Sequence, residues 1–132
     1  MVLKVVMTHK FNEETANELV DEIGQIMLGD DALDNDDWES ISQVIQLDSI
    51  TNTTGFIYHL EGHVSPSTPD QTEMLTTAKE LQKVMTVDGK TWKAVLVQIT
   101  LPEFEIKVAF EYDSATKWPI QAEALRPDRV EN

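Results

Sequence analysis

The clearest periodicity in the chain runs from Thr91 to Tyr112, where two apolar stretches flank Pro102-Glu103. In the second stretch Phe104, Ile106, Val108 and Phe110 alternate with Glu105, Lys107 and Glu111, the period of two expected of a strand with one buried and one wet face. The first is apolar on both sides around Ala94 to Val97, which marks a more central strand. Pro102 fixes φ for a tight turn and cannot continue a ladder, so the pair reads as an antiparallel hairpin.

Helical spacing appears twice. Ala16, Leu19, Val20, Ile23, Ile26 and Met27 share one face, Asn12 suits the N-cap, and Gly29 suits the end, which predicts a helix over Asn12 to Leu28. A second helix is predicted over Thr68 to Met85, with Thr68 as N-cap, Pro69 at the first helical position and Gln71 closing a capping box. Met74, Leu75, Ala78, Leu81 and Met85 form its inner face. Between the helices, Ser40 to Asp48 alternates with Ile41, Ile45 and Leu47 on one side, Thr51 to Gly55 carries turn chemistry, and Gly55 to Glu61 returns with Phe56, Tyr58 and Leu60 together. Asp30 to Glu39 is expected to be an exposed connection, and Gly62 to Thr68 a loop. Val2 to Met7 is either an edge strand or a prefix to the first helix. Beyond the last strand, Trp118 is expected to dock on the sheet or a helix, and the end past Leu125 to fray. The sum is a single α+β domain over residues 1–132: an antiparallel sheet of four to six strands with two helices on one face, in the order α-β-β-α-β-β.

Composition changes this picture mainly through charge. The net charge is −14, and all ten basic residues lie outside Phe11 to Ala78, an interval holding fifteen of the twenty-four acids. So one-sided a field repels nucleic acid and anionic membranes and attracts cationic partners, although solubility alone also accounts for an acidic balance. Cysteine is absent, which excludes disulfides and thiolate metal sites. The opening apolar run is too short to span a bilayer and lacks the features of a secretory leader, so a soluble cytoplasmic protein is expected.

Catalytic chemistry is hard to assemble from these residues. His59, Glu61 and His63 stand at i, i+2 and i+4, a legitimate zinc or iron set if the strand continues, but Gly62 marks its end and Tyr58 lies on the more apolar face. The Asp30 to Glu39 tract has Asn35 where a calcium loop needs its central Gly and Ile41 where it needs its bidentate Glu. Nucleophile elbows and glycine-rich phosphate loops are missing from the sequence. No catalytic residue, no metal ligand and no cofactor is therefore assigned.

Several short runs, namely D-D-W-E at Asp36 to Glu39, G-F-I-Y-H at Gly55 to His59, D-G-K-T-W at Asp88 to Trp92 and the F-E-I-K-V-A-F-E-Y-D strand followed by Trp118, resemble the YezG-like immunity family of small bacterial toxin-neutralising proteins. The resemblance covers most of Asn12 to Trp118, and contact-dependent growth inhibition immunity proteins are similar in size and charge. It implies a non-enzymatic partner of a cognate toxin domain, a basic nuclease being the toxin that an acidic protein would suit. The candidate contacts are Asp30, Asp31, Asp34, Asp36 and Asp37, with Trp38 or Tyr58 as an aromatic anchor. Trp38 is favoured as core over interface because of its large apolar area. The alternatives are an acidic adaptor that recruits a partner through a strand edge, and a small metal-dependent enzyme built on His59, Glu61 and His63.

Overall fold

The structure, a computed structural model, describes residues 4–7, 14–33 and 37–128. Its strands are β1 (Lys4–Met7), β2 (Trp38–Leu47), β3 (Thr51–His59), β4 (Val64–Ser67), β5 (Ala94–Thr100) and β6 (Glu105–Glu111), and its helices are α1 (Glu14–Leu28) and α2 (Gln71–Met85). They form one sheet in the order β1-β6-β5-β2-β3-β4. Five strands pair antiparallel, and β1 joins the edge parallel to β6, so the opening run is an edge strand. The α+β class and the two-helix order stand as expected.

Alternation explains why this sheet has two buried faces. Ile41, Ile45 and Leu47 of β2, Ile57 of β3, Val95, Val97 and Ile99 of β5 and Ile106, Val108 and Phe110 of β6 face the helices, where Ala16, Val20, Ile23 and Met27 of α1 and Met74, Ala78, Leu81 and Met85 of α2 close the core. Burying one such aliphatic side chain stabilises by about 1.5–3 kcal/mol, so this layer holds the domain together. On the opposite face Val44, Ala94, Leu96 and Ala109 are covered by Trp118 and Leu125.

That second cover is a segment without helix or strand, residues 113–128, strapped across the sheet. Ser42 Oγ donates to the Leu125 carbonyl at 2.5 Å and Gln98 Nε2 to the same oxygen at 3.3 Å; Gln46 Nε2 reaches the Ala115 carbonyl at 2.8 Å. Leu125 is fully buried, and just past it the Arg126 guanidinium lies 5.5 Å from the Tyr58 ring centroid; the rest of the end expected to fray, residues 129–132, lies outside the described residues.

Three local expectations also shift. The loop expected over Gly62 to Thr68 contains β4, which pairs with Gly55 to Tyr58 of β3. The turn expected at Thr51 to Gly55 belongs to β3, and the chain reverses instead at Asp48 to Ile50. Asp70, not Thr68, caps α2, its carboxylate accepting from the Glu73 N–H at 3.0 Å. The expected N-cap of α1, Asn12, lies outside the described residues.

Candidate functional site

The acidic connection after α1 is less uniform than its composition suggests. Gly29 closes α1 by donating to the Gln25 and Ile26 carbonyls, and the chain then turns sharply through Asp31–Leu33. Asp30 is only 6% exposed. A buried carboxylate needs donors, and this one accepts from the Thr68 N–H at 2.6 Å and the Ala32 N–H at 3.0 Å, with the Ser67 and Thr68 hydroxyls at 3.4 and 3.5 Å. It is a clasp between α1, β4 and α2, which corrects its place in an exposed tract. Asp31 is exposed and Asp37 half-exposed, whereas Asp34 and Asp36 lie outside the described residues.

Neither aromatic candidate faces solvent. Trp38, 8% exposed, packs in the helix-side core with the Phe104 ring edge-on at 6.1 Å. Tyr58, 1% exposed, lies under the strap and donates its hydroxyl to the Ala122 carbonyl at 2.6 Å. Burial pushes its pKa up to about 12, against smaller opposing effects of the Ser42 hydroxyl and Arg126. Trp38 thus lies in the core, the placement its apolar area favours over an interface, whereas Tyr58 is corrected as an anchor: neither candidate ring is offered to a partner.

Acidity reaches the surface instead through α1. Glu14, Glu18 and Glu22 recur every four residues on its exposed face, with Asp21 beside them half-exposed. Such a row stacks like charges on one side of a helix, which costs intrinsic helix stability and has to be offset by the buried face. A shallow groove of about 260 Å³ between the helices is lined by Glu22, Ile26, Thr72, Glu73, Thr76 and Thr77. Its apolar floor at Ile26 and its two carboxylates suit a long cationic side chain, which buries its stem and needs its head paired. The sequence signal of this face is the four-residue spacing of Glu14, Glu18 and Glu22.

A second constellation forms where β3 ends. His59 is the last residue of β3, and Leu60 to Gly62 turn the chain back, with Gly62 in the left-handed region at φ +89°. His63 then stacks on His59, centroids 4.1 Å apart and planes 5° from parallel. Glu61 is exposed on the turn, so the expected three-residue strand face does not form. Asp37 takes its place: its Oδ1 is 2.9 Å from His59 Nδ1, and ligand atoms of Asp37, His59 and His63 all lie within 4.8 Å of one another. The other His59 nitrogen, Nε2, is 2.6 Å from Ser65 Oγ. Backbone bonds fix the arrangement, from Leu60 N–H to the Asp37 carbonyl at 2.7 Å and from His59 N–H to the His63 carbonyl at 3.0 Å. Sequence spacing could not bring in Asp37, which precedes His59 by 22 residues and arrives through the β2–β3 ladder.

The fold and these two sites define a class: an α+β domain with a strongly acidic helical face and a histidine–carboxylate cluster at one sheet corner. Compared with models of known protein families and with curated proteins, the chain matches none. Among the described residues no helix is long and apolar enough to cross a membrane.

Proposed function

We propose that this protein is a bacterial immunity protein that binds a cognate toxin domain, a basic nuclease, and neutralises it in the cytoplasm by stoichiometric inhibition without chemistry. The observation that carries the reading is the base-free interval of Phe11 to Ala78, whose acids reach the surface along α1 and the first turn of α2. Nucleases bind phosphate through cationic grooves, and a row of carboxylates competes for the same field while steering fast encounter. The groove holding Glu22 and Glu73 offers a seat for an arginine or lysine of the toxin. Recruitment through a strand edge is less favoured, because the β4 edge carries Pro66, which lacks an N–H to offer an added strand.

The test is the association rate with the toxin domain encoded beside this gene, measured from low salt to about 0.5 M. Glu18, Glu22 and Asp31 are all exposed, so changing all three to Lys is expected to leave thermal unfolding nearly unchanged. Association is expected to slow by about tenfold or more at low salt, with a flatter salt dependence. Equal rates and equal salt slopes for wild type and variant would make the acidic face a solubility device.

A further inference from the structure

We propose that Asp37, His59 and His63 form a binding site for a divalent cation of the zinc class, with an open coordination position toward solvent. The toxin-binding reading makes no use of these residues, and the site stands independently of it.

The argument starts from the two nitrogens of His59. When Nε2–H donates to Ser65 Oγ at 2.6 Å, Nδ1 presents a lone pair to Asp37 Oδ1 only 2.9 Å away. Two electron-rich atoms at that separation need a positive charge between them. A proton can supply it, and so can a metal ion, for which a hydrogen-bond acceptor on the far ring nitrogen, here Ser65 Oγ, fixes tautomer and ring orientation. The second imidazole favours the metal. Its ring, stacked on His59 at 4.1 Å, brings a second nitrogen donor within 4.8 Å of the first two ligand atoms, and a divalent ion binds imidazole through the neutral ring. Two imidazoles and one carboxylate are a donor set that zinc accepts, and a chain without cysteine has no thiolate to compete for the ion.

Placement suits exchange with solvent. His59 is buried, Asp37 is half-exposed and His63 exposed, so the cluster is closed on the protein side and open on the other. The backbone bonds from Leu60 to Asp37 and from His59 to His63 already hold the three ligand-bearing segments together, which limits the ordering cost of binding. Parallel rings do not direct two nitrogens at one ion. Seating it at about 2.0–2.1 Å from each therefore turns the exposed His63 ring out of the stack while His59 stays fixed.

The experiment uses the full chain, stripped with a chelator, and zinc or cobalt(II) as the only added probe. Calorimetric zinc titration is expected to show one ion per chain with Kd at or below about 10 µM, and cobalt to give the ligand-field bands of a four-coordinate site. Asp37→Asn and His63→Ala change solvent-facing groups, and each is expected to weaken binding about tenfold or more. Ser65→Ala is expected to weaken it without changing the stoichiometry, as befits a positioning residue. Zinc should raise the unfolding temperature of wild type more than that of His63→Ala at the same zinc concentration. Absence of a one-to-one complex, or unchanged affinity in both Asp37→Asn and His63→Ala, would overturn the assignment.

Discussion

Asp30 shows how much one side chain can settle. Its carboxylate collects donors from the turn after α1, from β4 and from the entry to α2, so three elements meet on two oxygen atoms. Asp30→Ala leaves the Thr68 N–H without an acceptor in a part-buried setting and is expected to cost about 1–3 kcal/mol. Urea unfolding checks this as a lower midpoint at unchanged slope, with the exposed Asp31→Ala as a control within about 0.5 kcal/mol. Gly55 is fixed by a different constraint. A Cβ there would lie 2.5 Å from the Ser42 carbonyl and collide with the Gln43 side chain, which crosses the glycine to reach Thr53 Oγ1 at 2.6 Å. Glycine stands there for close approach within a ladder, although beside Thr51 to Thr54 it looks like a turn residue.

At the scale of elements, what could be read in advance was what side chains encode by period. Both helices, the β5–β6 hairpin and the helix-facing rows of β2 and β6 repeat at 3.6 or 2, and they formed as expected. The strap over residues 113–128 has no period. It binds through the carbonyls of Ala115, Ala122 and Leu125, which any sequence possesses. Its partners Ser42, Gln46 and Gln98 look like a wet strand face until those acceptors are in place. The cap of α2 moved from Thr68 to Asp70 for a related reason, since the Thr68 N–H is already committed to Asp30. Of the candidate contacts, Asp31 is on the surface, but the burial of Asp30 and Tyr58 depends on long-range packing that composition does not carry.

The strap also predicts an alkaline sensitivity. Folding raises the Tyr58 pKa from 10.0 to about 12, so the fold favours the neutral phenol. That contribution is complete below pH 10 and is lost as pH rises through about 12. Tyr58→Phe is expected to be less stable near pH 8 by about 1 kcal/mol, having lost the bond to Ala122, and to lose up to about 2 kcal/mol less between pH 10 and 12. Denaturant unfolding of both proteins across that range checks whether the curves converge.

For the molecule as a whole, a net charge of −14 on 132 residues sets the working conditions. Fifteen carboxylates in an interval without a base repel one another in the folded state more than in the expanded chain. Raising sodium chloride from about 0.02 to 0.5 M shortens the screening length from roughly 20 Å to below 5 Å and is expected to raise the unfolding temperature by a few degrees, the equivalent of about 1 kcal/mol. A flat midpoint across that series would mean the row on α1 is already compensated. The strap has one more consequence, which lies in time. The β2–β3 hairpin closes between Leu47 and Thr51, whereas the bond from Ser42 to Leu125 joins residues 83 apart, a closure that costs about 2–3 kcal/mol more in chain entropy. Non-local contacts of that span form slowly, so the chain assembles its hairpins first and meets the strap late. Until it does, Val44, Leu96 and Ala109 present a bare apolar sheet face, and the interval between the two events is when a newly made molecule is most prone to stick to its neighbours.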